Sequence, residues 1–410
     1  MVVSPPLRRN RNFRRLLIGQ SLSDLGSNVS TLAYPLLVLA LTHSPFIAGA
    51  VGSTQLAVAM AFRLPAGAIA DRVDRRRLMI ACDAVRLAAL GGLGLTVLLQ
   101  MASWELVIVV AVADSSLAVF FSPAEAGTVR AVVPDPGQMP QAMAANEVRN
   151  YGAAVAGPPL GGALFSLAQG APFVADAASY AISIGTLLGM RGNFRPQGRP
   201  EQRLHQDIAA GIAFVLGQPF LRALVVLTPL INFAANGAIF SVVLALRQNG
   251  VHPALIGSAE AMITAGGLLG AVSAAWLVRR MSLWKLSMLI CWVGAVLLLV
   301  SAREAGSLLM AMPIAGTIFL GPAANAALIA RQMAITPHQM QGRVQSTLLF
   351  ASQGLAASAP VLAGLIIAKL SATVVMLVFS ATLVLAGVVC TFSDRIRHES
   401  KAAAVPLQRH

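Results

Sequence analysis

The feature that most constrains this chain is a series of twelve apolar stretches, each long enough to cross a lipid bilayer as a helix. The hydrocarbon core of a bilayer requires about 20 largely apolar residues per helix. The stretches cover residues 16–41, 46–70, 78–100, 104–126, 142–168, 171–191, 219–246, 254–278, 282–302, 306–330, 344–368 and 371–392. The sequence therefore predicts an all-α membrane protein with twelve transmembrane helices.

The composition supports a membrane protein and argues against a nucleic-acid-binding one. Of the 410 residues, 57% are hydrophobic and only 11% are charged, whereas a soluble domain carries about 25% charged residues. The net charge of +14 would suit a nucleic-acid partner, but no motif for such binding is present. In membrane proteins, excess Lys and Arg gather in cytoplasmic loops. We therefore expect the lipid bilayer, and no nucleic acid, as a partner.

The cysteines and histidines give no sign of a metal site, a cofactor or a catalytic centre. Cys82, Cys291 and Cys390 lie singly inside apolar stretches, and the sequence has no CxxC pair. The six histidines fall in loops or tails, away from obvious partners. A phosphate-binding GxxxxGK[ST] loop is also missing. The sequence therefore predicts neither an enzyme nor an ATP-driven pump.

A polar mid-chain segment predicts how the chain is organised. Residues 192–218 are rich in charge and proline, and they turn amphipathic near their end. They separate six apolar stretches from the next six. The predicted domains are a six-helix bundle at 1–191, a cytoplasmic linker at 192–218, a second six-helix bundle at 219–393 and a cytoplasmic tail at 394–410.

Matching features in the two halves predict pseudo-symmetry. Arg72, after the second stretch, corresponds to Arg279 after the eighth. Pro123, near the end of the fourth stretch, corresponds to Pro322 in the tenth. Parallel repeats related by an axis along the membrane normal build two-lobed transporters with a central cavity. We therefore expect two pseudo-symmetric six-helix bundles.

The positive charges predict the orientation. If the N-terminus is cytoplasmic, the arginine-rich loops, the linker and the C-terminal tail all fall on the inner side. The outer loops then receive only Arg247, Arg303 and Lys369. Positive residues favour the cytoplasmic side. Both termini are therefore predicted to be cytoplasmic, in a plasma membrane.

A compact acid-and-arginine cluster occupies the loop between the second and third stretches. Its members are Gly67, Asp71, Arg72, Asp74, Arg75 and Arg76. Gly67 is expected to let two helices approach closely, and Asp71 to bond to the N-terminus of a neighbouring helix. The arginines can pair with acids and with anionic lipid. A cluster that only fixes the orientation of the chain is the alternative interpretation.

This loop resembles the signature of the major facilitator superfamily, which reads Gly, three residues, Asp-Arg, one residue, Gly-Arg-Arg/Lys. Asp74 replaces the second glycine, and Asp is among the residues that tolerate tight turns. The resemblance implies a conformational gate that holds the outward-open state closed on the cytoplasmic side.

A second motif lies in the fifth stretch and consists of Gly152, Gly157, Pro158, Gly161 and Gly162. It resembles the antiporter motif of the same superfamily, which is associated with exporters rather than uptake permeases. Small residues on one helical face allow close packing, and a proline bends the helix there. An ordinary packing face is the alternative.

Further stretches resemble the branch that contains the enterobactin exporter and the macrolide and tetracycline efflux pumps. They are Asn12–Leu16, Phe120–Ala124, Asp176–Tyr180 and Gln341–Ser346, and the resemblance extends over essentially the whole chain. Drug exporters of other branches carry an arginine in the fourth span, whereas this region holds Asp114. Their proton-relay scheme is therefore not carried over.

Charges inside apolar stretches are costly, and they tend to face a cavity or a partner. Asp114 and Asp24 lie well inside the fourth and first stretches, and we predict that they couple transport to protons. Alternatively, Asp24 bonds locally and Asp114 neutralises a basic residue such as Arg63. Asp83 and Arg86, three residues apart, are expected to form a structural ion pair.

Asp176 and Glu260 are expected near the outer face, as solvated ends or gate residues.

Amides predict the character of the substrate cavity. Asn232, Asn236, Asn325 and Gln353 lie in the seventh, tenth and eleventh stretches. This pattern suits a wide, weakly polar cavity for an amphipathic ligand.

Taken together, the residues and the resemblance predict a monomeric, proton-coupled secondary exporter of a small molecule such as an antibiotic, a drug or a siderophore. An uptake permease of the same fold, a non-transporting receptor and a membrane enzyme are the alternatives.

Overall fold

The computed structural model describes residues 7–133, 135–192, 194–195, 204–337 and 340–392. Within these residues the chain forms fourteen α-helices and three short 3-10 turns. The helices are α1 (Arg11–Thr42), α2 (Pro45–Ala70), α3 (Arg75–Leu98), α4 (Trp104–Val132), α5 (Met139–Leu167), α6 (Ala171–Gly189), α7 (Leu204–Gly217), α8 (Pro219–Gln248), α9 (Pro253–Arg280), α10 (Leu283–Arg303), α11 (Ala311–Ile335), α12 (Gln341–Ala356), α13 (Ala359–Lys369) and α14 (Ala372–Phe392).

Short polar residues fix where several helices begin. The hydroxyls of Ser44, Ser103 and Ser282 accept hydrogen bonds from backbone N–H groups three residues later, at the starts of α2, α4 and α10. Asp74 does the same at the start of α3. Such N-caps satisfy donors that have no partner inside the helix.

Eleven spans in the described part of the chain are long and apolar enough to cross a membrane. The 29-residue helix α5 is not among them, because glycine, proline and the charged pair Glu147 and Arg149 lower its hydropathy. The helix is nevertheless long enough for a bilayer. The predicted all-α membrane fold is confirmed, and the predicted count of twelve spans agrees with these eleven together with α5.

The predicted helix at 344–368 is divided in two. The helix α12 ends at Ala356, and α13 begins at Ala359. Pro360 lies in the first turn of α13; it has no N–H to donate, and its ring opposes continuation of a helix from the N-terminal side. The two pieces together still form one membrane-length segment, Gln341–Lys369.

The chain divides into two compact units, one comprising residues 1–200 and 251–261, the other comprising 201–250 and 262–410. In the first unit, α1 packs against α5 and α6, α3 packs against α4 and α6, and α2 packs against α4. In the second, α8 packs against α12, α13 and α14, and α10 packs against α11 and α14. Each unit has its own core of buried aliphatic side chains.

The amphipathic end of the predicted linker is helical, as α7, and it packs on α12. The predicted tail at 394–410 and residues 193 and 196–203 of the predicted linker lie outside the described residues. The domain limits at 191 and 219 therefore stay a prediction.

Candidate functional site

Charged side chains meet between the helices of the first unit. They come from five helices, α1, α3, α4, α5 and α6. The residues are Asp24, Asp83, Arg86, Asp114, Glu125, Arg149 and Asp176. Such groups are rare among membrane helices and usually mark a functional pathway, so we take this network as the candidate site.

Arg86 on α3 and Asp114 on α4 form a buried ion pair. The Nε atom of Arg86 lies 2.7 Å from Oδ1 of Asp114, and their side chains are only 7% and 11% exposed. The hydroxyl of Tyr34 on α1 donates to the other oxygen of Asp114 at 3.3 Å. The expected pairing of Asp83 with Arg86 is wrong, because the guanidinium reaches across to α4 instead.

The same guanidinium connects to α6 through an aromatic ring and a hydroxyl. Its Cζ atom lies 4.3 Å from the centre of the Tyr180 ring, which is within the range of cation–π attraction. An Nη2 group of Arg86 donates to Ser27 at 3.4 Å, and the hydroxyls of Ser27 and Tyr180 lie 2.8 Å apart. A continuous polar chain therefore runs from Asp114 to α6.

Asp176 on α6 ends this chain and is completely buried. Its Oδ2 atom lies 2.5 Å from the hydroxyl of Ser30 and 3.4 Å from that of Tyr180, and its Oδ1 atom lies 3.2 Å from the hydroxyl of Ser179. The expectation of a solvated end at Asp176 is wrong. The spacing of Ser179 and Tyr180, three and four residues after Asp176, is a signal that one face of α6 is polar.

Asp83 on α3 is also completely buried. The hydroxyl of Ser183 donates to its Oδ2 atom at 2.6 Å, and the amide of Gln20 donates to Ser183 at 3.0 Å. Among the described residues, the Oδ1 atom of Asp83 has no hydrogen-bond partner.

Arg149 on α5 lies between two carboxylates. Its Nη1 atom donates to Oε1 of Glu125 on α4 at 2.6 Å. Its Nε atom lies 2.8 Å from Oδ2 of Asp24 on α1, but the N–H is not aimed at that oxygen, so this contact is an ion pair without a hydrogen bond. The Arg149 side chain is only 6% exposed. The sequence predicted Asp24 as a coupling residue but did not predict its pairing with Arg149.

The loop cluster ties the ends of α3, α4 and α6 together. The Nη1 atom of Arg75 donates to the backbone oxygen of Gly127 on α4 at 3.4 Å. The Nε and Nη2 atoms of Arg76 donate to the last carbonyls of α6, at Leu187 and Leu188, at 2.7 Å each. Positive groups are favourable at a helix C-terminus.

Two details of the loop differ from expectation. Asp71 does not contact a neighbouring helix N-terminus; its exposed side chain lies 3.5 Å from Nη2 of Arg75. No described atom would lie within 4 Å of a Cβ added at Gly67, so the close packing expected there is not seen. Arg72 is exposed, and Asp74 serves as the N-cap of α3.

The glycine motif of α5 packs against α1. A Cβ at Gly157 would collide with Asn28, and one at Gly161 would lie 2.5 Å from the carbonyl oxygen of Val29. Pro158 and Gly162 are buried within α5. Gly152 is exposed, with no described atom within 4 Å of an added Cβ.

Among the described residues, the side chains of the four amides of the second unit make no hydrogen bonds to one another's side chains. Asn236 donates to the backbone oxygen of Asn232, one turn earlier in α8. Asn232 and Gln353 are partly buried, whereas Asn325 is exposed. Within the described chain, no group of three or more His, Cys, Asp or Glu is placed to hold a metal ion.

The sequence matches a family described as transmembrane secretion effector over residues 3–410. No curated protein matches it. Among solved structures, a bacterial homologue of the human lysosomal transporter Spinster is similar, with 16% identity, a TM-score of 0.73 and coverage of 96% of this chain and 99% of the other.

Two further structures show the same fold. The nucleoside transporter NupG has 11% identity and a TM-score of 0.75, with coverage of 94% of this chain and 99% of the other. A bacterial homologue of the iron transporter ferroportin has 15% identity and a TM-score of 0.71, with coverage of 94% and 99%. At these identities the likeness establishes the fold alone.

Proposed function

Because this chain belongs to the transmembrane secretion effector family of the major facilitator superfamily, we propose that it is a proton-coupled exporter of a hydrophobic or amphipathic small molecule. Its coarser identity, a multi-pass membrane transporter of the major facilitator type, follows from the family and the fold. The observation that carries the finer proposal is the buried charge network of the first unit. Charges at such a depth are maintained at considerable cost.

In this proposal, Asp114 and Asp24 couple transport to protons through their arginine partners. Asp114 pairs with Arg86, and Asp24 lies against Arg149. A proton that binds to either carboxylate removes the negative charge that holds the arginine. Arg86 then loses its carboxylate and can change partners, whereas Arg149 keeps only Glu125. The packing of α3 on α4 or of α5 on α1 changes with the new pairing.

The proposed direction is export. The family description refers to secretion, and the glycine–proline motif of α5 resembles that of antiporters. The four stretches named above further support placement in the branch of the enterobactin exporter and the macrolide and tetracycline efflux pumps.

In the proposed transport cycle, the loop cluster around Asp71 and Arg75 acts as a cytoplasmic latch for alternating access. The proposed orientation has both termini in the cytoplasm of a cell bounded by the plasma membrane, and the transporter works as a monomer. The arginine content of the predicted inner loops supports this orientation.

The substrate is proposed to be an antibiotic, a drug or a siderophore-like molecule. The membrane-length helices α8, α10, α11 and α14 and the segment α12–α13 contain no Asp or Glu. Polarity there comes from amides such as Asn232, Asn236, Asn325 and Gln353, which suit a weakly polar cavity and a ligand with a large apolar surface.

Transport in inside-out membrane vesicles tests the function. A panel of fluorescent dyes, macrolides, tetracyclines and siderophores is offered with and without an imposed proton gradient. We expect at least one compound to accumulate in vesicles that contain the protein, and a protonophore to abolish the accumulation. Vesicles without the protein provide the background.

Right-side-out vesicles distinguish export from import. Gradient-driven accumulation in that orientation alone would identify an uptake permease instead. If no compound moves in either orientation but one binds, a receptor is indicated.

A further inference from the structure

The five acids of the charge network fall into two classes. Asp24, Glu125 and Asp114 each lie within 2.8 Å of an arginine nitrogen. Asp83 and Asp176 have no Lys, Arg or His nitrogen within ion-pair distance among the described residues, and both are completely buried. The second class therefore requires another way to balance its charge.

Asp176 has no counter-ion of its own among the described residues. The nearest cation, Arg86 of α3, is already neutralised by Asp114 of α4 at 2.7 Å. The remaining titratable groups nearby are the phenols of Tyr180 on α6, which lies 3.4 Å from Asp176, and of Tyr34 on α1, which donates to Asp114. An ionised Asp176 would leave a net negative charge without a counter-ion, and burial of such a charge is very unfavourable.

Neutral Asp176 fits the hydrogen bonds that the structure shows. The hydroxyl of Ser30 lies 2.5 Å from Oδ2 of Asp176 and 3.2 Å from the backbone oxygen of Ser27. It can donate to that backbone oxygen while it accepts the acid proton of Asp176. Each hydrogen then has an acceptor, as burial demands.

Asp83 presents the same problem in a sharper form, because its Oδ1 atom has no described hydrogen-bond partner. Arg86 follows three residues later in α3 but is paired with Asp114. Glu125 of α4 adds a second negative charge in the neighbourhood, and Cys82 adds a thiol. The hydrogen bonds that reach Asp83 from α6 and α1 are neutral: Ser183 donates to Asp83, and Gln20 donates to Ser183.

We propose that Asp83 of α3 and Asp176 of α6 are two further proton-binding groups of this transporter, forming two stations along α6, whose hydroxyls bond to both acids. Ser183, which holds Asp83, lies two turns beyond Asp176, so the stations are about 10 Å apart along the helix. This inference rests on the proposed proton coupling and extends it: Asp83 and Asp176, which lack arginine partners, take up and release protons in addition to Asp24 and Asp114.

The geometry also indicates what proton release does. When Asp176 loses its proton, the network of Asp114, Asp176 and Arg86 carries one excess negative charge. The guanidinium already contacts the ring of Tyr180 and the hydroxyl of Ser27. The Ser27 hydroxyl bonds to that of Tyr180, which in turn bonds to Asp176. The guanidinium therefore becomes shared between the two carboxylates, and α3 is drawn from α4 toward α6.

Infrared spectroscopy of the purified full-length protein in a detergent without carbonyl groups tests this directly, without a substrate. A protonated carboxyl has a C=O stretch that is distinct from those of carboxylates and amides. We expect the parent protein to show this band at neutral pH. Asp83→Asn and Asp176→Asn should each remove part of it, and the double variant should remove both parts.

Glu105→Gln is the matched control, because Glu105 is exposed in the first turn of α4; it should leave the band intact. Ser30→Ala and Ser183→Ala keep both acids but remove their nearest hydroxyls, so each should shift the frequency of the band. These two variants preserve the test if an Asn variant does not fold. A parent protein without the band, or a double variant with the band undiminished, would overturn the proposal.

A transport measurement separates this proposal from the proposed function. In vesicles, Asp83→Asn and Asp176→Asn should reduce gradient-driven efflux to the level seen with a protonophore, while exchange of substrate for substrate continues. Gradient-driven efflux that equals the parent in both variants would refute the role of the two acids. If the parent pumps nothing, the proposed function fails, and the infrared bands alone decide whether these residues bind protons.

Discussion

Arg86 and Arg149 are each surrounded by apolar helices, yet they are compensated in different ways. Arg86 has one carboxylate, a tyrosine ring and a hydroxyl. Arg149 lies between the carboxylates of Asp24 and Glu125. A buried arginine is tolerated only when its charge and its donors are both satisfied. The identity and the number of its partners therefore decide what the loss of one partner does.

Removal of the Asp114 charge should destabilise the protein markedly. Asp114→Asn leaves Arg86 without its carboxylate, and an uncompensated buried charge of this kind costs about 3–5 kcal/mol. We expect a lower thermal unfolding midpoint in detergent, and the double variant Arg86→Gln/Asp114→Asn should recover most of the loss. If the double variant is no more stable than the single one, the ion pair is not the reason.

The sequence identified some members of this network and missed others for a physical reason. Asp114 and Asp24 stand out because they are acids within apolar stretches. Their partners depend on how each helix is rotated, and a neighbour three residues away gave the wrong pair for Arg86. The sequence offers a solvated end at Asp176, because the position of a residue in a stretch does not show that Ser30 of another helix covers it.

At the scale of elements, α1 packs closely on two sides through small residues. Toward α6, a Cβ at Gly26 would lie 2.6 Å from Oδ1 of Asp176. Toward α5, Gly157 and Gly161 of that helix lie directly over the backbone of α1. Small residues allow this approach between membrane helices. The α5 motif thus brings Arg149 into contact with Asp24, and it links packing to the charge network.

Two substitutions in the α5 motif should have opposite effects. Gly161→Ala places a methyl group against the carbonyl of Val29, where backbone must move, and overpacking of this kind costs about 1–3 kcal/mol. The methyl group added by Gly152→Ala meets no described neighbour, and alanine favours the helix more than glycine does. This change should therefore be neutral or stabilising by up to about 1 kcal/mol. Thermal unfolding in detergent compares them. Equal effects of the two changes would show that α5 does not pack on α1 as described.

The extent of the helices could be predicted well, and their interruptions less well. Long apolar stretches predicted the membrane helices because a bilayer dictates their length. The break between α12 and α13 lies inside a largely apolar stretch, where only Ser358 and Pro360 mark it. Pro123 lies inside α4 without interrupting that helix. A proline alone therefore does not determine where a helix breaks.

At the scale of the whole molecule, the acids are distributed unevenly between the two units. The first unit holds all seven residues of the charge network described above. The helices α8, α10, α11, α12, α13 and α14 of the second unit have neither Asp nor Glu. In the proposed transport cycle, this uneven distribution assigns the proton chemistry to the first unit, and the helices without acids present a weakly polar surface to the ligand.

The orientation can be tested with two introduced cysteines on either side of α4. This helix has 29 residues, about 43 Å at 1.5 Å per residue, which is enough to cross the bilayer core. Met101 precedes it, Pro136 follows it, and both side chains are exposed. Cys82, Cys291 and Cys390 are at most 2% exposed, so a membrane-impermeant maleimide should label only the new cysteine.

With cytoplasmic termini, Pro136→Cys should react in inside-out vesicles alone, and Met101→Cys in right-side-out vesicles alone. Reaction in the same vesicles for both variants would mean that α4 does not cross the membrane. The reverse pattern would place the loop of Asp71 and Arg75 outside the cell. The anionic inner leaflet would then no longer explain the arginines of that loop, and a cytoplasmic latch could not be built from them.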